Sequence, residues 1–542
     1  MVGRGIGPFS NLFRRAYARP YRRFRTSLSF PQQTQEQLLA ELLSGMRETE
    51  YGKHYGMAQA DRYEEFAAKL PIVTYEDISP WIQRQRTSTR RIICPEPIAF
   101  YERTSGSSGR SKLVPYTQGL RNSFVRMFLL WVYDILSNGP SLHSGSTFLS
   151  VSPKLRPQAP YEDDLDAGLN DDTEYLPRAL RWLVGRYLVA PLDLRAISDA
   201  VIFRRVLAAY LLDEPGLEVV SVWNPSYLTS LLDFIDGHRD LIAEDLRSGK
   251  INAGGRLFRL SSGTAARRRE IVDWLRAGGR DFGGVWPEMK LLSCWTDGNA
   301  ALMLDTLRLR LPRVTVQGKG LIATEGPMTI PLWESSAPVP LLSEIFFEFI
   351  DATGRVVRLH ELELGARYDI VMSQRGGMMR YRIGDRVEVA GLVGATPALR
   401  FVGRSQNVSD LVGEKLNETF VRDALREIGA LASGRWMLLP TSTSAAPHYV
   451  CLYDGPRPSI DLDLVIDQHL QESHQYHLAR QLGQLGPVEV RHCARLDETF
   501  LAWNASEGRK LGNVKPCILL SGAQRAASFL QHLSAVRNRE SG

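Results

Sequence analysis

The chain has 542 residues, 44% of them hydrophobic and 23% charged, with a formal net charge of +6. That length predicts two to four domains with a large core, and that balance excludes disordered, collagen-like and fibrous classes. Arg4, Arg14, Arg15, Arg19, Arg22, Arg23 and Arg25 all precede the first acidic residue, Glu36; without them the body is near neutral, which argues against a broad nucleic-acid-binding surface.

Phe9, Leu12, Phe13, Tyr17, Tyr21 and Phe24 are interleaved with those arginines. This pattern suits a transit peptide, a membrane-surface helix, or an amphipathic helix packed on the body. The most apolar run, "FVRMFLLWVYDIL", is short and contains Arg126 and Asp134, so no membrane span is expected. Cys94, Cys294, Cys451, Cys493 and Cys517 never form CxxC and read as core residues of a reducing, cytoplasmic compartment.

From about residue 35, "QEQLLAELLSGMRETEYGKHYG" predicts a helix ending near Gly52 and Gly56. "LPIVTYEDISPWIQR" reads as a short extended stretch and then a helix capped by Thr74 or Asp77. "PIAFYER" predicts a strand. Between 120 and 280 helical periodicity dominates, interrupted by "LEVVSVWNPSYL", a strand that gives way to a helix at Asn224-Pro225. From 285 to 410, "MKLLSCWT", "RVTVQGKGLIAT", "SEIFFEFID", "VVRLHEL" and "YDIVMS" are strand-like. The last 120 or so residues predict helices at "ETFVRDALREIG" and "IDQHLQESHQYHLARQL", with strands at "HYVCLYD" and "PVEVRHC". The fold class is α/β (α+β), divided as a basic extension (1–34), a large domain (35–415) and a small α/β cap (416–542).

"RTSGSSGRSK", residues 103–112, is the segment richest in chemistry. Glycine and serine let backbone N–H groups approach an anion closely, and Arg110 and Lys112 add charge. Gly106 and Gly109 are too close for the GxxxxGK phosphate loop, and "GSSG" is one residue short of the GxSxG serine elbow. A plain surface loop and an amidase-type serine centre at Ser107 or Ser108 stay open on these residues alone.

"YERTSGSSGRSKLVPYT" resembles the first nucleotide-binding motif of the Gretchen Hagen three family of acyl acid amido synthetases. "GLIATEG", "YRIGDRVEV" and "FVGRSQNVSDLVGEKLNE" resemble, in order, its second motif, third motif and hinge. "LPIVTYEDISPWIQR" and "PLLSEIFFEFI" resemble connecting segments, and the likeness runs from about 35 to 520. It implies the adenylate-forming superfamily's large domain with a moving cap. It also implies ATP and Mg²⁺, with a carboxylic acid and an amine, an amino acid, as substrates; a monomer is the expected state.

Carried over residue by residue, the resemblance implies that Thr104, Ser105, Gly106, Ser107, Ser108, Gly109 and Lys112 hold phosphate. Thr324 would contact the α-phosphate region and Glu325 would bind Mg²⁺. Asp385 would accept the ribose hydroxyls, and Arg404 and Lys415, in the hinge, would either bind ATP at its ribose or phosphate or be merely solvated. Lys515 in "GNVKPC", with Lys510 as alternative, would bring a cation to the α-phosphate. Leu321 stands where plant members have tyrosine, which weakens the expectation of adenine stacking there. Phe124, Phe128, Trp131 and Val132, with Trp295, either line an acyl pocket or are plain core. "HLQESHQYH" reads as a polar helical face rather than a zinc site. An acyl-CoA ligase, a serine amidohydrolase and a non-catalytic nucleotide or carboxylate sensor are the competing readings.

Overall fold

The computed structural model describes residues 5–103, 112–149, 185–190, 194, 196–197, 199–404, 407–412, 414–441, 447–457, 460–481, 484–509 and 514–540. The basic N-terminal stretch is a helix, Gly7–Ser27, that buries Phe13, Tyr21 and Phe24. It packs on the helix Gln118–Asn138. Tyr21 donates to Asp134 at 2.5 Å, and Asp134 also accepts from Asn138 and the Trp333 backbone. The acid inside the apolar run is therefore a saturated buried acceptor, and Arg126 pairs with both Glu344 oxygens. No helix among the described residues is long and apolar enough to cross a membrane.

Thr74 caps the helix Tyr75–Arg86, with the Asp77 carboxylate accepting from both its N–H and its hydroxyl at 2.8 Å. Strands Ser146–Leu149, Leu217–Ser221, Leu291–Cys294 and Thr315–Gly318 form a parallel sheet in that order. Leu291–Cys294 is buried throughout, as expected of a parallel strand with both faces covered. Helices Ala200–Asp213, Pro225–Gly237, Arg239–Ser248 and Ala265–Arg276 share its core.

A second sheet is antiparallel, in the order Val356–Arg358, Ile345–Ile350, Arg367–Gln374, Tyr381–Val393, Thr396–Arg404. Its core reaches back to Leu38, Leu42 and Phe66 near the N-terminus. From Leu416 onward two further cores form around a three-stranded sheet, Arg435–Thr441, His448–Asp454 and Glu489–His492.

Two features depart from the periodicity. The predominantly helical stretch contains a hairpin, Lys250–Ala253 with Arg256–Arg259, turned by Gly254 and Gly255 at φ 58° and 71°. The single C-terminal helix expected at "IDQHLQESHQYHLARQL" is two, Leu462–Leu470 and His474–Gln481. Asp467 joins them by accepting from Gln471, Tyr476 and Arg480 across the break.

Candidate active site

Asp385 and Arg404 are register partners across the last two strands of the antiparallel sheet, with Arg404 Nε 3.3 Å from Asp385 Oδ1. A bulge aims Asp385. Between Arg382 and Arg386 this strand carries three residues against one on its neighbour, and Gly384 takes φ 84° within the excess. Asp385 is 5% exposed, and its Oδ1 has no hydrogen bond of good alignment among the described residues. The carboxylate thus keeps acceptor capacity for a ligand hydroxyl.

Thr324 and Glu325 form the two-residue turn joining Ile322–Ala323 to Gly326–Pro327. Tyr116 holds the turn by donating to the Thr324 carbonyl at 2.7 Å. Gly326 lets this hairpin sit close on the antiparallel sheet: a Cβ there would lie 2.8 Å from Ile345 Cδ1 and 3.0 Å from Met372 Cε. Glu325 is buried, and its polar neighbour Tyr381 is distant at 3.5 Å. Burial raises its pKa above the usual glutamate range, with Asp385 adding to the rise and Arg404 and Lys112 opposing it. One such carboxylate, with phosphate oxygens and water to complete the shell, is a donor set that suits Mg²⁺.

Lys515 reaches this group from the C-terminal part of the chain. Its ammonium lies 5.2 Å over the Trp295 ring. Protein crowds it, with Arg404 close by, and these push its pKa down to about 8, while Asp385, Glu325 and Glu418 pull the other way. The side chain still borders solvent, so it stands in an open cleft and water moderates that shift. Lys112 completes the cluster, 3.5 Å from the Tyr381 hydroxyl and 5.4 Å from the Tyr75 ring.

Glu325, Asp385, Arg404, Lys112 and Lys515 therefore converge, with Thr324 at the edge. Lys415 stands outside this group, exposed at φ 46°. Thr104, Ser105, Gly106, Ser107, Ser108, Gly109 and the alternative Lys510 lie outside the described residues. Leu321 is buried and hydrogen-bonded to Thr329, a core position rather than a stacking surface. Elsewhere Glu427, His469 and Glu472 bring ligand atoms within 4.8 Å of one another, a grouping of surface charge.

Beyond Lys515 the cleft continues as an aromatic wall. Trp295 and Trp223 lie 5.8 Å apart and are tied by a backbone hydrogen bond of 2.8 Å. Lys319 lies 4.8 Å from the Trp223 ring and 5.1 Å from Trp131. Of the apolar stripe, Trp131 keeps accessible surface, whereas Phe124 is core stacked on Tyr116. Tyr381, Trp223, Asn224 and Lys319 were not singled out as site residues from the sequence. Tyr381 opens the "YRIGD" motif, and "WNP" follows a parallel strand's carboxyl end, where α/β sheets place ligands; both signals were available.

Residues 20–316 match the GH3 family N-terminal domain, and residues 339–404 match the GH3 family central domain. A probable indole-3-acetic acid-amido synthetase GH3.2 of Oryza sativa subsp. japonica is 26% identical over 91% of this chain and 88% of its own. A probable indole-3-acetic acid-amido synthetase GH3.1 of Arabidopsis thaliana is 24% identical over 84% and 83%. The solved AtGH3.15 acyl acid amido synthetase in complex with 2,4-DB matches with a TM-score of 0.81 at 20% identity, covering 96% of each chain. A 2-hydroxyisobutyryl-CoA ligase in its postadenylation state matches at 0.51 and 14% identity, over 93% and 91%. With a family model spanning more than half of its length, the chain belongs to the GH3 family and has the architecture of the adenylate-forming ligases.

Proposed function

We propose that this enzyme is an ATP- and Mg²⁺-dependent acyl acid amido synthetase that activates a carboxylic acid as its adenylate and passes the acyl group to the amine of an amino acid. The observation that carries this reading is the convergence of Glu325, Asp385, Arg404 and Lys515 from separate parts of the chain. In the first half-reaction the acid's carboxylate oxygen bonds to the α-phosphorus and pyrophosphate leaves. Lys515 offsets the charge that builds on the phosphorus oxygens, a stabilisation worth on the order of 3 to 4 kcal/mol per donor. Asp385 orients the ribose through its hydroxyls, Lys112 neutralises phosphate, and residues 104–109 would donate hydrogen bonds to it. Glu325 would hold Mg²⁺, which supplies charge neutralisation on the departing pyrophosphate.

In the second half-reaction the amine attacks the acyl carbonyl, AMP leaves with the bonding pair, and the nitrogen gives up its proton. Residues 416–542 act as the mobile cap, supported by their separate cores and by Lys515 being their contribution to the cleft. One chain supplies every group named, in keeping with a monomer, and five free cysteines fit a reducing cytoplasm.

ATP–pyrophosphate exchange over aromatic, indolic and aliphatic acids, in wild type, Glu325→Ala and Lys515→Ala, tests the reading. Exchange lost in both variants supports it, and amino acids against coenzyme A as second substrate then separate amide from thioester formation. ATP-independent amide hydrolysis would favour the serine amidohydrolase instead. Folded, ATP-binding protein that exchanges with no acid would favour a sensor.

A further inference from the structure

The parallel sheet presents a polar row to the aromatic wall. Ser221, Ser293 and Gln317 are register partners on three adjacent strands, so their side chains leave the same face of the sheet. Lys319, two residues past Gln317, returns over that face to donate to Ser221 Oγ at 2.7 Å. It is 4% exposed, with Trp131 and Trp223 flanking its ammonium.

The other two members of the row retain bonding capacity. Ser293 is fully buried, and its Oγ has no hydrogen-bond partner among the described residues. Gln317 Oε1 accepts the Trp131 indole N–H at 3.1 Å, and an indole N–H can only donate. The amide orientation is thereby determined, and the remaining Nε2, which has no partner among the described residues, is a donor. One cation and two further hydrogen-bonding groups meet on one wall.

This wall is continuous with the cleft. Lys515 lies over Trp295, Trp295 neighbours Trp223, and Trp223 underlies Lys319. An acid whose reacting carboxyl faces Lys515 would extend along the two indoles and end at Lys319. Lys319 and Gln317 fall between the two matched domain stretches, 20–316 and 339–404.

We infer that the acid activated here carries a second anionic oxygen group, a distal carboxylate, held by Lys319, Ser293 and Gln317. This rests on the amido synthetase reading and specifies its substrate class. A charge-assisted hydrogen bond from Lys319 supplies the attraction, and an acid lacking the group would leave the Ser293 hydroxyl and the Gln317 amide unpaired.

The test measures pyrophosphate exchange for matched pairs, adipate against hexanoate and 4-carboxyphenylacetate against phenylacetate, in wild type, Lys319→Met, Lys319→Arg and Ser293→Ala. The dicarboxylate should exceed its partner in kcat/KM by about 100-fold. Lys319→Met should cut that ratio at least about ten-fold, and Lys319→Arg should recover part of it. Ser293→Ala, a small change should Lys319→Met fail to fold, should lower the ratio as well.

Exchange that favours the monocarboxylates, or a ratio indifferent to Lys319, overturns the inference and leaves the ligase reading standing. Exchange with neither series removes the ligase reading for these acids. Tryptophan quenching by adipate then decides the subsite: quenching abolished in Lys319→Met supports it, and no quenching overturns it.

Discussion

Asn224 donates from its side-chain amide to the backbone carbonyl of Val514, the residue immediately before Lys515. Asn224 is 2% exposed and follows the second strand of the parallel sheet, so a rigid element of the large domain grips the segment that carries the cleft's lysine.

Removing that grip should act on chemistry more than on nucleotide binding. Asn224→Ala is expected to reduce the exchange kcat by about 10- to 100-fold, because small misplacement of a catalytic cation is costly. ATP affinity should change by less than about three-fold, and global stability by about 1 kcal/mol for the lost hydrogen bond. Exchange kinetics beside ATP titration check this; equal losses in kcat and ATP affinity would contradict it.

In the role proposed for it Lys515 must be protonated, and its pKa is pushed to about 8 by crowding and by Arg404. Adenylation should therefore decline as pH rises through about 8, below the usual lysine range. Lys515→Arg should move that decline upward, since guanidinium stays charged. In the free enzyme the sign for stability is opposite. Between about 8 and 10.5 the unfolded chain binds a proton that the folded chain does not, so Lys515 makes stability rise with pH there. An exchange rate flat to about pH 10 would show that the ammonium is not required.

Glu325 is held protonated further above the ordinary glutamate range by burial. A cation must displace that proton, so Mg²⁺ affinity should weaken as pH falls toward and through the raised pKa. Glu325→Gln should lower exchange by about 100-fold or more at fixed Mg²⁺ and abolish the pH dependence of the magnesium requirement. Magnesium titrations at two pH values distinguish this from a purely structural role, which would leave the Mg²⁺ half-saturation point unmoved.

Beneath the cleft, Arg380 binds both oxygens of Glu348 at 2.7 and 2.9 Å and donates to the Ala67 and Leu70 carbonyls. Glu348 is fully buried and also accepts from Tyr63 at 2.9 Å. Arg380→Met should cost about 3 to 5 kcal/mol in urea unfolding, because it strands a buried carboxylate. Adding Glu348→Gln should return part of that loss; a double variant no more stable than the single one would argue against the pair as the cause.

Local chemistry made much of the chain legible. Thr74 and Asp77 announced a cap, and "LEVVSVWNP" announced a strand turning into a helix, whereas "GLIATEG" and "YRIGD" stood out from ordinary turns only through the family resemblance. The hairpin at Gly254-Gly255 lies within an otherwise helical stretch, whose periodicity masks its short strands. Lys319 carries no signal in the sequence, since a lone lysine between glycines reads as a solvated turn until the sheet behind it is known.

By itself the sequence determined the α/β class and the order of the motifs, because caps, turns and strand alternation depend on neighbours a few residues away. Only the tertiary structure decided that Asp385 meets Arg404 through a bulge, that Asn224 grips Val514 across the chain, and that Lys319 is buried between two indoles. Those relationships join residues from distant parts of the fold, and sequence spacing carries no distance once the chain has turned back on itself.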